Sequence, residues 1–172
     1  LKIGAIDFES ELALVKSIRK RFSKDVIELR VDANGGFSPA EAMERLEVLA
    51  RYDIHSIEQP IRQKQWSEMA RLCSTTPLPI ALDEELIGVN MKAMKEELLS
   101  VIKPQYIVLK PTLHGGMRGT EEWVVLARQH GIGSWITSAL EGSVGLNAVA
   151  QLTSHVYGDD IEFAQGLGTG ML

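Results

Sequence analysis

The segment IELRVDANGGFSPAEAMERLEVLARYDIHSIEQP, residues 27–60, holds two apolar strand-like runs joined by a helix-like stretch. The first run ends near Asp32 and the second near Glu58. Between them, Ser38, Pro39 and Glu41 predict a helix start, because serine caps a helix, proline fits its first turn and glutamate can complete a capping box. A strand, a helix and a further strand in this order predict a parallel βαβ unit.

The same unit recurs along the chain, and a charged residue lies near the end of each strand-like run. LKIG contains Lys2, PIALDE contains Asp83 and YIVLKP contains Lys110, at steps of about 25–30 residues, the size of one βα repeat. With runs at 132–138 and 161–166, this pattern predicts seven strands. Six helices are predicted near residues 7–22, 38–52, 66–75, 88–99, 116–130 and 142–155. Gly131 is a plausible stop for the fifth.

The nearly even step favours a closed TIM-type (β/α) barrel, an α/β fold, over an open sheet. An eight-stranded barrel takes about 250 residues, whereas this chain has 172. We therefore expect residues 1–172 to form a single partial barrel domain that lacks its first strand, most simply ahead of Leu1.

Composition narrows the class of protein. A hydrophobic fraction of 45% and a charged fraction of 24% suit a globular domain with a sizeable core. The net charge of -5, without a dense Lys/Arg stripe, argues against a nucleic-acid partner. No apolar stretch approaches the roughly 18 residues that span a bilayer. The single cysteine, Cys73, cannot form an internal disulfide, which favours a reducing cytoplasm.

Asp32, Glu58 and Asp83 end three consecutive predicted strands, where barrel enzymes place their chemistry. Three converging carboxylates repel one another unless a cation lies between them. Oxygen ligands select a hard cation, so the trio predicts a Mg²⁺ site. Taken singly, each acid has a structural alternative: a turn residue in DANGG, a solvated strand end, and a helix cap.

Lys2 and Lys110 are the candidate acid–base residues. Barrel closure would bring their strands to opposite sides of the mouth, so that a substrate on the metal lies between two amines. Neighbouring cations lower the pKa of a lysine in general, which makes a neutral amine available as a base. The alternatives are a solvated terminal lysine and a lysine whose head group reaches solvent along an apolar stem.

LKIG, LRVDANGGF, IEQP, ALDE, VLKPTLHGG and TSALEGSVGL together resemble the barrel domain of the enolase superfamily, in its muconate-lactonizing subgroup. The resemblance matches Lys2 to the second lysine of a K-x-K motif and Lys110 to the lysine of strand six. It matches Asp32, Glu58 and Asp83 to the Mg²⁺ ligands. It also implies a capping domain that this sequence does not contain.

KPTLHGG and TSALEGSVGL are similar to the o-succinylbenzoate synthase family of this subgroup. This resemblance implies a lyase of menaquinone biosynthesis that eliminates water from the carboxylate 2-succinyl-6-hydroxy-2,4-cyclohexadiene-1-carboxylate through an enediolate. Ala164-Gln165-Gly166 stands where dipeptide epimerases carry D-x-D, and Thr137-Ser138 where mandelate racemases carry histidine, so neither activity is favoured. N-acylamino acid racemisation, cycloisomerisation and a non-catalytic barrel fragment remain alternatives.

Four further residues are candidates for substrate contact. Thr137, Ser138 and Glu141 follow the predicted strand seven, where they could instead cap the next helix. Arg30 lies two residues before Asp32 on the same side of its strand and could pair with a carboxylate near the site or be purely structural. The oligomeric state does not follow from the sequence.

Overall fold

A computed structural model describes residues 1–159 and 161–168. Within these residues, five β-strands alternate with six α-helices in the predicted order, and a short 3-10 helix covers Glu84–Leu86. The elements are α1 Phe8–Arg21, β1 Arg30–Asp32, α2 Pro39–Ala50, β2 Ser56–Glu58, α3 Trp66–Thr75, β3 Ile80–Leu82, α4 Lys92–Ile102, β4 Tyr106–Leu109, α5 Gly116–Gln129, β5 Gly133–Ile136 and α6 Ser143–Tyr157.

The chain divides into two compact units. The first comprises residues 1–85 with 101–105, and the second comprises residues 86–100 and the chain from Tyr106 onward. The prediction that residues 1–172 form one domain stays a prediction. None of the helices in the described ranges is both long and apolar enough to cross a membrane.

In the first unit, β1, β2 and β3 form parallel pairs in sequence order. Because side chains alternate along a strand, Val31, Ile57, Ile80 and Leu82 share one face, and all four are buried. Residues of α1, α2 and α3 are buried with them, namely Val15, Leu46, Leu49, Met69 and Leu72. This apolar face anchors the strands, so their other face is available for polar residues.

In the second unit, β4 pairs with β5 in parallel, from Tyr106 opposite Gly133 to Leu109 opposite Ile136. Helix α5 contacts both strands as well as α6. The α5 residues Trp123 and Ala127 are fully buried. These helices fix β4 and β5, whose carboxyl ends carry Lys110 and Thr137.

Two predicted strands are reduced to single bridges. The LKIG run pairs only at Lys2, with Asp32, and Gly4 then adopts a φ of +84°, which turns the chain away. At 161–166 only Gly166 forms a bridge, with Thr137. There a side-chain oxygen takes the place of a backbone acceptor of the sheet, because the Ile136 amide donates to Gln165 Oε1 at 2.8 Å.

The helix starts and ends differ in detail from the prediction. Ser38 is the N-cap of α2 with proline after it, as predicted, but its side chain makes no cap hydrogen bond. The predicted capping box is therefore wrong, and Glu41 instead pairs with Arg45 at 2.7 Å. Gly131, at a φ of +68°, follows α5 as predicted.

Candidate active site

Lys2, Asp32 and Glu58 lie in one row across three neighbouring chain segments. Asp32 is the register partner of Glu58, and Lys2 forms a parallel bridge with Asp32. Register partners on parallel strands point to the same face of a sheet. Asp83 lies two residues beyond Ala81, the partner of Glu58, so it shares this face. The backbone thus brings the three predicted carboxylates and Lys2 to one face, at the carboxyl ends of β1, β2 and β3.

Asn34 connects the Lys2 ammonium to two acidic residues. Lys2 Nζ forms an ion pair with Asp32 Oδ2 and donates to Asn34 Oδ1 at 2.7 Å. The backbone N–H of Asn34 donates to Asp32 Oδ1 at 2.9 Å, and its side-chain Nδ2 donates to Glu84 Oε1 at 2.8 Å. The DANGG turn therefore holds the amine beside the carboxylate row.

Asp83 is 1% exposed, and its loop is held by Gln59, which was not among the residues predicted from the sequence. The Asp83 and Glu85 amides both donate to Gln59 Oε1, each at 3.2 Å. Glu85 Oε1 in turn accepts from the Lys64 amide at 2.7 Å and from Trp66 Nε1 at 2.8 Å. Two sequence features could have indicated these contacts: Gln59 is a polar residue directly after Glu58, and Glu85 is the second glutamate of the DEE segment.

Arg30 lies on the same face as Asp32 but closer to the start of β1, opposite Ser56. Its guanidinium pairs with Glu28, with Nη2 2.8 Å from Oε1. Glu28 lies just before β1, at the strand end away from the acids, whereas the predicted partner was a carboxylate near the site. The role of Arg30 as a substrate contact stays a prediction.

The second unit places Lys110 and Thr137 side by side. Leu109 is the register partner of Ile136 and the Thr137 amide donates to Leu109 O at 2.8 Å. Continuing this register sets Lys110 opposite Thr137, on the face of β4 that also carries Tyr106. A predicted acid–base residue and a predicted substrate-contact residue therefore adjoin each other at the carboxyl ends of β4 and β5.

The loops after β4 and β5 are joined by a hydrogen bond from Thr112 Oγ1 to Glu141 Oε1 at 2.7 Å. Glu141 Oε2 is buried and makes no hydrogen bond within the described part of the chain. Ser138 Oγ donates to Gly166 O at 3.4 Å. The loop after β4 also contains His114. It is fully buried, and its Nδ1 accepts from the Lys110 amide at 2.9 Å.

The donors of the carboxylate row suit a hard cation in kind, because Asp32, Glu58 and Asp83 offer only oxygen. As the side chains stand, no three His, Cys, Asp or Glu residues in 1–159 and 161–168 form a group that could hold a metal ion. The Asp32 carboxylate is engaged by Lys2 and by the Asn34 amide. The three acids nevertheless share one face at neighbouring strand ends, as ligands of a common cation would.

The chain belongs to the family described as "Enolase C-terminal domain-like", whose model matches residues 1–162. Among individual proteins, the chain is 57% identical to an o-succinylbenzoate synthase of Desulfotalea psychrophila (strain LSv54 / DSM 12343), over 100% of this chain and 46% of that protein.

Solved structures agree with this membership. The crystal structure of MenC from Desulfotalea psychrophila LSv54 superposes with a TM-score of 0.92 at 55% identity, covering 100% of this chain and 46% of that one. A muconate lactonizing enzyme from Pseudomonas putida gives a TM-score of 0.79 at 32% identity, covering 89% and 42%. The predicted superfamily, subgroup and TIM-type barrel class are confirmed. The chain spans less than half the length of these relatives.

Proposed function

We propose that the protein containing this chain is an o-succinylbenzoate synthase, a lyase that removes water from 2-succinyl-6-hydroxy-2,4-cyclohexadiene-1-carboxylate in menaquinone biosynthesis. The observation that carries the proposal is the 57% identity to a synthase along the whole chain. The shared face of Lys2, Asp32, Glu58 and Asp83 supports it, because this reaction needs a base beside a carboxylate-binding site.

Asp32, Glu58 and Asp83 would hold Mg²⁺. When bound, the ion supplies positive charge that neutralises the substrate carboxylate and favours the enediolate formed next to it. Asp83 contributes a carboxylate that is almost fully buried. Burial strengthens its interaction with a cation, since water screens the charges less.

Lys2 is the proposed base that removes the proton alpha to the substrate carboxylate. Its side chain is 69% exposed and already lies against Asp32 and Asn34, so its amine can meet a ligand that approaches this face. Loss of the proton gives the enediolate, and departure of the 6-hydroxyl then breaks the C–O bond. The proton and the hydroxide together form one water, and the six-membered ring becomes aromatic.

Lys110 is proposed to stabilise negative charge on the intermediate, by charge or by a cation–π contact with the ring. Its backbone is fixed by the buried His114.

Thr137, Ser138 and Glu141 are proposed substrate contacts. The buried Glu141 Oε2 supports this role, because a buried carboxylate oxygen is costly without a donor and a substrate hydroxyl is one. Arg30, whose guanidinium is engaged by Glu28, is the least supported of the four.

The deciding experiment compares two substrate classes on the purified full-length protein. Dehydration of the cyclohexadiene carboxylate, followed by ultraviolet absorbance, should proceed with Mg²⁺, stop with EDTA and return when excess Mg²⁺ is added. Racemisation of N-acylamino acids and cycloisomerisation of muconate are measured in parallel. Turnover of only one of these would replace the proposal with that activity. Mg²⁺ binding without any turnover would support a non-catalytic protein.

The remaining proposals concern the surroundings of the enzyme. A cytoplasmic location is proposed from the single cysteine and from the small-molecule pathway that the resemblance implies. The net charge of -5 supports a function that does not involve nucleic acid.

A further inference from the structure

Gln59, the residue directly after Glu58, contacts the loops after all three strands that carry the acids. It is 0% exposed, and its φ of +39° is unusual for a residue with a side chain. Its backbone accepts from the Gly35 amide at 2.7 Å, in the loop after Asp32, and donates to Ala81 O of β3 at 2.9 Å. The main chain of this one residue therefore joins the ends of β1, β2 and β3.

The Gln59 side chain uses its full hydrogen-bonding capacity in the same place. Oε1 accepts from the Asp83 and Glu85 amides, both at 3.2 Å. Nε2 donates to Ile61 O at 2.9 Å and to Glu85 Oε2 at 3.4 Å. A carboxamide has two acceptor lone pairs and two N–H donors, so this buried group is fully satisfied.

Glu85 fixes the far side of this arrangement. It is 4% exposed, and its other oxygen accepts from the Lys64 amide and from Trp66 Nε1. Gln59 is therefore held between these two loops, and it cannot rotate away without breaking several buried hydrogen bonds. Gln59 therefore links the Asp83 backbone directly to the residue that follows Glu58.

We infer that Gln59 is a positioning residue that sets the placement of Asp83 relative to Glu58 and Asp32, and thereby the affinity for the divalent cation. The inference rests on the metal site of the proposed function. Metal–ligand distances tolerate deviations of only about 0.2 Å. A small displacement of the Asp83 loop would therefore change the distance from its carboxylate to the ion and lower the affinity. Outer-shell partners of metal ligands typically change affinity by about 10- to 100-fold when they are removed.

The test compares Gln59→Met with Gln105→Met in the full-length protein. Methionine keeps the length of glutamine but has no N–H donor and only a weak acceptor. Gln105 is a matched control, because its Oε1 also accepts from a β3 amide, that of Ile80, and its Nε2 donates to Cys73 O, each at 2.9 Å. That contact lies at the amino end of β3, away from the acids.

Mg²⁺ affinity is measured by calorimetry without substrate, and Mn²⁺ binding by electron paramagnetic resonance. Gln59→Met should raise the Mg²⁺ dissociation constant by about 10-fold or more and change the Mn²⁺ spectrum. Gln105→Met should leave both within about twofold while still lowering the melting temperature, though less than Gln59→Met does, because its side chain is half-buried and makes two hydrogen bonds rather than four. Equal Mg²⁺ affinity in the two variants would overturn the inference and leave Gln59 a structural residue.

If Gln59→Met does not fold, Gln59→Asn replaces it, because asparagine keeps the carboxamide but is one methylene too short to reach the Asp83 amide. Mg²⁺ affinity within twofold of wild type in Gln59→Asn would also overturn the inference. If the wild type binds no Mg²⁺, both this inference and the proposed function fail. If Mg²⁺ affinity falls as expected but the cyclohexadiene carboxylate is not turned over, the proposed function fails and the inference stands.

Discussion

Lys2→Ala should separate catalysis from folding more clearly than any other change in this chain. The Lys2 side chain is 69% exposed, and its partner Asp32 is 14% exposed. Ion pairs with a solvated member contribute roughly 0–1 kcal/mol to folding. The free energy of unfolding should therefore change by less than about 1 kcal/mol.

The effect of Lys2→Ala on catalysis should be far larger. A positioned general base contributes about 100- to 10,000-fold to the rate, which corresponds to roughly 3–5 kcal/mol in the activation free energy. The expected result is a fall of kcat of that size for dehydration in saturating Mg²⁺. Mg²⁺ affinity should stay within about tenfold, since the three carboxylates remain.

Lys2→Arg distinguishes the base from the ion pair. Arginine keeps a positive charge beside Asp32, but its guanidinium is always protonated at neutral pH and cannot accept a proton. It should be as inactive as Lys2→Ala. Lys16→Ala, an exposed lysine of α1, is the matched control and should keep full activity. A loss of kcat below about tenfold in Lys2→Ala, or activity retained in Lys2→Arg, would refute the assignment of Lys2 as the base.

Three further predictions test other parts of the account. Lys110→Ala should abolish dehydration while the protein stays folded, as circular dichroism checks, and retained turnover would remove Lys110 from the mechanism. The Lys95 side chain is 1% exposed, and its Nζ donates to Glu122 Oε2 at 2.7 Å and to Gly119 O at 3.1 Å. Lys95→Met should therefore lower the free energy of unfolding by about 1–3 kcal/mol in chemical denaturation. An unchanged denaturation midpoint would contradict this. Burial raises the pKa of the Cys73 thiol to about 12, so iodoacetamide, followed by mass spectrometry, should label it at least about tenfold more slowly in native than in guanidinium-unfolded protein. Equal labelling rates would contradict the buried thiol.

The order of elements and the row of acids could be predicted because both depend on local patterns. Helix α3 is found at Trp66–Thr75, as the apolar spacing predicts. Asp32 and Glu58 each end a strand and are register partners. Their common face follows from strand alternation alone. The positions of the predicted acids were therefore accessible from spacing, while their roles stay proposals.

The exact ends of the helices could not be predicted from the sequence, because the backbone conformation of single residues decides where a helix begins and ends. Helix α4 covers Lys92–Ile102, whereas the spacing predicts residues 88–99. Gly88 has a φ of +82°, which a right-handed helix does not accommodate, so the helix begins later. Lys103, at a φ of +52°, follows its end. Neither conformation is encoded in the apolar pattern that predicted the helix.

The supporting hydrogen bonds could not be predicted, since they join residues far apart in the sequence. Gln59 contacts the loop that carries Asp83 and Glu85, and Asn34 reaches Glu84. The burial of His114 could not be predicted either, because it depends on how the chain packs after β4. The sequence shows which residues can supply chemistry, but the packing decides which residues hold them in place.

The claim that Asp32, Glu58 and Asp83 bind one divalent cation is tested most directly by crystallography with Mn²⁺. Crystals of the full-length protein grown with Mn²⁺ are measured at a wavelength where manganese scatters anomalously. We expect one strong anomalous peak within about 2.0–2.3 Å of a carboxylate oxygen of each of the three residues. A peak bound by other residues, or no peak near this row at saturating Mn²⁺, would contradict it.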